Sequence, residues 1–292
     1  KSDGTESGTV MVKDINSGSN GCILRHMTVI GSTLYFEAYD GTHGYELWKS
    51  DGTESGTVMV KDINSGSNGS SLDNLTSMGS TLYFTANNGI NGYELWKSDG
   101  TAAGTGMVKD IYSGTNGSGP SDLTAIGSTL YFAANDGING YELWKSDGTA
   151  AGTVMVKDIN SGSNESNTYN LTVIGSTLYF TAYDGTHGCE LWKSDGTAAG
   201  TVLVKDINSG SIGSSPDNLT AIGSTLYFSA NDGTHGSELW RSDGTAAGTV
   251  LVEDLFPGIG SSFPTNLIFA NGRLYFSATT PAVGTEIFYI NF

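Results

Sequence analysis

Tryptophan recurs at a fixed spacing of 48 residues, at Trp48, Trp96, Trp144, Trp192 and Trp240. An Asp-Gly-Thr follows each one, at Asp51, Asp99, Asp147, Asp195 and Asp243, and a further copy begins at Asp3. No other feature constrains the fold as much. A constant period of this length marks a unit that cannot bury its apolar face alone and must stack on its neighbours. Six such periods nearly fill the 292 residues, so residues 1–292 are expected to form one domain of six units.

The second unit shows the grammar of all six. Leu75-Thr76-Ser77-Met78 is a short apolar stretch, and Gly79-Ser80 fits a tight hairpin connection to Thr81-Leu82-Tyr83-Phe84-Thr85-Ala86. Asn87 to Gly92 is a loop of turn formers, and Tyr93 to Ser98 is a third strand. Asp99 to Gly104 turns the chain into a fourth strand over Thr105–Ile111, and a Ser/Gly/Asn-rich loop from Tyr112 to Ser121 follows. No helical periodicity or helix cap appears. Four antiparallel strands per repeat predict an all-β, six-bladed β-propeller. A β-solenoid has much shorter rungs. The N-terminal residues Asp3 to Ile15 read as a fourth strand, whereas Glu286 to Ile290 read as a third. The expectation is that residues 1–15 supply the outer strand of the last blade, closing the ring and covering a sheet edge.

The run Glu94 to Thr105, Glu-Leu-Trp-x-x-Asp-Gly-Thr-x-x-Gly-Thr, stands in full five times and resembles the ELWxxDGT repeat family of bacterial, largely secreted or surface proteins. The sixth copy departs, with Glu286-Ile287-Phe288 at one terminus and Asp3-Gly4-Thr5 at the other. The resemblance implies a propeller-like repeat protein outside the cytoplasm, extracellular or on the cell surface. It implies no reaction.

Composition excludes some partners. The formal charge is −17, and most of the basic residues fall in two lysine columns, typified by Lys97 and Lys109, with no basic cluster. A nucleic-acid partner is therefore not expected. No apolar run is long enough for a membrane-spanning helix. Cys22 and Cys189 sit at different repeat positions and read as two free thiols.

In a propeller, the fourth-to-first and second-to-third loops share one face, and here those are the long, polar ones. A binding surface is expected there. The candidate ligand-binding residues are Asp40 and His43, Asn88 and Asn91, Asp136 and Asn139, Asp184 and His187, and Asp232 and His235. The sixth repeat has Thr280-Pro281-Ala282-Val283 instead. One reading is a ring of polar side chains touching a glycan or a cation. The other is local: Asn and His tolerate positive φ, and a glycine follows each.

No cofactor is expected, with calcium as the alternative. Each Asp-Gly-Thr turn offers one carboxylate, and such an Asp commonly accepts hydrogen bonds from its own backbone. Zinc fits less well, because His43, His187 and His235 belong to different repeats without nearby cysteine. The glutamates Glu46, Glu94, Glu142, Glu190, Glu238 and Glu286 are equivalent. That argues against a catalytic acid–base pair, which needs unlike carboxyls. Simple register sets Glu94 opposite Lys109 and Glu286 opposite Lys13 as cross-strand ion pairs. The Tyr-Phe columns and the tryptophans read as packing between units. The strongest departures from the repeat lie at Cys22 to His26 and Phe256 to Pro264.

The functional expectation is a non-enzymatic extracellular structural or adhesive module, a monomeric propeller, alone or within a longer chain or assembly, binding a glycan or a surface protein. The alternative is a multivalent carbohydrate-binding lectin with sites between blades on the long-loop face.

Overall fold

A computed structural model describes residues 1–292. The chain is all β, with 23 strands in six antiparallel sheets, five of four strands and one of three. It divides into two compact units, residues 1–137 with 144–154, and residues 138–143 with 155–292.

The second sheet orders its strands as in sequence: Asp73–Met78, Thr81–Asn87, Tyr93–Ser98 and Gly106–Lys109. Gly79 takes φ 62° in the two-residue turn that pairs Met78 with Thr81, a conformation in which a Cβ would be strained. The first strand carries a β-bulge between Asp73 and Thr76, with Asn74 at φ 55°. His26, Asp122, Asn170, Asn218 and Asn266 repeat this left-handed position. A short polar side chain tolerates that region best, so the histidine is the departure there.

The core lies between successive sheets. Leu82, Phe84, Ala86 and Trp96 of the second sheet pack against Tyr35, Leu47 and Val60 of the first. Leu226, Phe228, Ala230 and Trp240 pack in the same way against Tyr179, Leu191 and Val204. The second strands of the first five sheets bury residues on both faces, as Thr81–Asn87 does. This explains why alternation is weak there. A fully buried Phe84 contributes roughly 1.5–3 kcal/mol. The first strands of the first three sheets touch in succession, as do those of the last three.

The lysine columns join neighbouring repeats. Lys109 Nζ donates to the Thr153 carbonyl at 2.8 Å, and Lys97 Nζ to the Gly148 carbonyl at 2.8 Å. The expected Glu94–Lys109 pair is not formed. A bulge between Leu95 and Trp96 shifts the register, so that Lys97 faces Gly106 as expected but Lys109 faces Leu95.

The expected closing strand also differs. Residues 1–23 contain no strand, and the last sheet has three, Thr265–Ala270, Arg273–Thr280 and Gly284–Asn291. No strand flanks Val10 and Met11, which are exposed. Lys13 is not paired with Glu286 but donates to the Thr57 carbonyl at 2.8 Å, as Lys61 does to Thr105. Ile15 and Cys22 pack against Phe36, Ala38 and Trp48. The segment thus takes the packing role of a preceding repeat's fourth strand and loop without the ladder. The sixth second-to-third connection is tight, pairing Thr280 with Gly284.

Candidate functional site

The repeated polar side chains are engaged with their own backbone. Glu94 is fully buried and accepts the N–H groups of Ile111, Tyr112 and Ser118 at 3.0, 3.2 and 2.8 Å. It therefore ties the fourth-to-first loop to the third strand. Burial pushes its carboxyl above the usual range, against the lowering effect of those hydrogen bonds. Burial takes Glu46 and Glu142 up to about 7. In the Asp-Gly-Thr turn, Asp99 Oδ1 accepts the Thr101 N–H at 2.8 Å and its hydroxyl at 2.7 Å. The Thr101 hydrogen bonds hold the Asp99 carboxyl below its usual range.

The candidate Asp/His and Asn pairs are local staples too. Asp40 Oδ1 accepts the backbone N–H groups of Thr42 and His43, and Oδ2 lies 2.7 Å from His43 Nδ1. Asp184 and His187 repeat this at 2.7 Å, and Asp232 and His235 at 2.8 Å. In the second repeat Asn88 Nδ2 donates to Asn91 Oδ1 at 3.0 Å, and Asn91 Nδ2 donates to Asp110 at 2.9 Å. Asp136 and Asn139 occupy the corresponding turn and are likewise engaged. The aspartate hydrogen bond raises each histidine's pKa. Hydrogen bonds outweigh burial at Asp232 and hold it at about 2. The positive φ expected of these His and Asn positions belongs instead to the glycines beside them, Gly41 and Gly44 in the first repeat.

Two equivalent clefts lie where the repeat varies. One, of about 660 Å³, is lined by Asn16, Asn20, Tyr39 and Gly41 among others. The other, of about 550 Å³, is lined by Asn160, Asn164, Tyr183 and Gly185, the same positions three repeats on. The second, third and fifth repeats place Asn87, Asn135 and Asn231 where these tyrosines stand. Those asparagines each accept the N–H of the glycine two residues on. Tyrosine gives up that bond and presents a ring with a polar tip.

A third cleft, of about 430 Å³, is lined by Arg25, His26, Glu37 and Asp73, with Tyr45 and Tyr93. Glu37 escapes a reading of motifs, although its column otherwise holds Thr85, Ala133, Thr181, Ser229 and Ser277. A charged residue in a column of small ones was the available signal.

No group of three or more His, Cys, Asp or Glu side chains converges as a metal site. Each full repeat leaves one buried Asp oxygen without a partner, such as Asp110 Oδ1.

No family model matches the chain, and no curated protein matches it. Solved structures do. A puromycin hydrolase shares a TM-score of 0.54 at 13% identity, over 93% of this chain and 46% of that one. A prolyl endopeptidase gives 0.55 at 14%, over 92% and 41%. Prolyl oligopeptidase B from Galerina marginata gives 0.56 at 12%, over 95% and 43%. The chain spans less than half the length of these proteins. At such identities the likeness is one of fold alone, and the fold is a β-propeller-like, all-β repeat.

Proposed function

We propose that the chain is a non-enzymatic extracellular module, a six-bladed propeller-like scaffold with a structural or adhesive role. One observation carries this reading: the most faithfully repeated polar residues are occupied in holding loops and turns, as Glu94 and Asp99 are. A motif kept for chemistry would leave reactive groups facing a cavity. The extracellular placement rests on the ELWxxDGT resemblance. The similar solved proteins are hydrolases by name, and their longer chains leave room for this one to be part of a larger protein. Adhesion is tested by coating a surface with the chain. Cells or surface glycoproteins should be retained above a heat-denatured control, and equal retention would remove the adhesive reading.

The second reading, carbohydrate binding, is favoured by the Tyr39 and Tyr183 clefts. Each joins an aromatic ring to amide and hydroxyl groups in an open, polar depression. In this form the lectin has two equivalent sites rather than one per blade. A glycan array, read with and without chelator, tests it. Binding should be independent of chelator and should titrate to two sites per chain. Binding to nothing in either condition would eliminate the lectin.

A further inference from the structure

Arg25 and Glu37 are direct cross-strand partners in the first sheet, but their charges are held on different supports. The Arg25 guanidinium lies over the Tyr45 ring, 4.8 Å from its centre. Glu37 is only 2% exposed, and its Oε1 accepts the Leu72 N–H at 2.8 Å. Across the cleft Asp73 Oδ1 lies 3.3 Å from His26 Nδ1. These four groups line the one cleft of about 430 Å³, with Tyr45 and Tyr93 as its aromatic walls.

Part of this arrangement has a structural cause. The second repeat has Thr85 in place of Glu37 and Pro120 in place of Leu72. There the Thr85 hydroxyl donates to the Pro120 carbonyl at 2.6 Å. Leu72, unlike proline, has an N–H that needs an acceptor, and one oxygen of Glu37 supplies it. That need does not account for Arg25 and His26, which stand where the second repeat has Asp73 and Asn74. Three departures from the repeat therefore converge on one cavity.

We propose that this cleft binds a small zwitterion, an α-amino acid or a molecule with the same pair of end groups. Its carboxylate is taken by Arg25 and its ammonium by Glu37 and Asp73. Guanidinium is the side chain best shaped for a bidentate carboxylate contact, and the Tyr45 face fixes its plane. A wholly anionic ligand would meet Glu37 and Asp73, and a wholly cationic one would meet Arg25. A metal ion is disfavoured because the carboxylates and His26 do not converge as ligands. The volume suits a small molecule, and Tyr93, 39% exposed, offers a wall for an apolar side chain. This site shares the Tyr45 wall with the Tyr39 cleft, but the proposal does not depend on saccharide binding there.

The test is calorimetric titration with each standard free L-α-amino acid, then with the amide and the N-acetyl derivative of the best binder. One molecule should bind per chain, and each derivative should bind at least about tenfold more weakly. Arg25→Ser, which installs the third repeat's residue, and Glu37→Gln, which keeps an acceptor for Leu72, should each weaken binding by at least about tenfold. Both variants should keep the wild-type melting temperature. The proposal is overturned if no free amino acid binds at ~10 mM, if the blocked derivatives bind equally well, or if both folded variants retain full affinity.

Discussion

The Ser118 hydroxyl donates to the Glu94 carboxylate at 2.5 Å, and both residues are fully buried. Ser214 and Ser262 do the same for Glu190 and Glu238. Ser70 and Ser166 donate instead to the carbonyls of Tyr45 and Tyr141. Ser118→Ala should therefore remove one donor from a buried carboxylate. We expect a loss of about 1 kcal/mol in chemical denaturation and a further rise in the Glu94 pKa, followed by carboxyl NMR.

The pH dependence has a definite sign. Glu46 and Glu142 rise from 4.5 to about 7 in the folded chain, so the folded state holds protons that the unfolded state has lost. Their contribution is full below about pH 4.5 and disappears as pH rises through about 7. His43, raised above 6.5 by Asp40, acts in the same direction: its contribution is present below 6.5 and is lost as pH rises through the folded value. Asp99, lowered from 3.8, contributes above that value and is lost as pH falls through its folded value. The melting temperature should thus peak in mild acid and fall toward neutral pH. Glu46→Gln with Glu142→Gln should flatten that fall.

Lys109 links neighbouring repeats through the Thr153 carbonyl and lies 5.8 Å from the centre of the Trp144 ring. Lys109→Met keeps the aliphatic stem and removes both interactions. A loss of about 1–3 kcal/mol should follow. Glu94→Gln combined with Lys109→Met should show no coupling beyond additivity, because the two residues do not pair.

Much of this architecture was legible in the sequence because each strand pattern recurs in register. The Tyr83-Phe84 and Trp96 columns declare the packing between sheets, and the Gly79-Ser80 turn declares its hairpin. The bulge between Leu95 and Trp96 is invisible to simple alternation, and it alone decides that Lys109 reaches Thr153 rather than Glu94. The role of Glu94 was hidden for the same reason, since its partners are backbone N–H groups in a loop that begins 17 residues later. The N-terminal segment carries a fourth-strand sequence, but a strand forms only beside a partner. The candidate Asp/His positions were legible as a column, but a column does not separate a turn staple from a binding group. Departures from the columns, Tyr39, Tyr183 and Glu37, were the better guide to clefts.

The two tyrosine clefts make a separate prediction. Tyr39→Asn and Tyr183→Asn each install the residue that the second repeat carries. Each single change should remove one of two saccharide sites in a titration, and the double change should remove both, with folding intact by circular dichroism. Loss of both sites from one substitution would contradict independent clefts.

The most direct test sets one repeated residue against one departure. Glu94→Ala strands two buried backbone N–H groups, those of Ile111 and Ser118, and the half-buried one of Tyr112. Its cost should be about 2–4 kcal/mol. Tyr39→Asn should leave stability within about 0.5 kcal/mol of the parent. Equilibrium denaturation of both variants beside the parent should show a large drop for Glu94→Ala and none for Tyr39→Asn. Wild-type stability in Glu94→Ala, with loss of ligand binding, would contradict the account and return the repeated motif to chemistry.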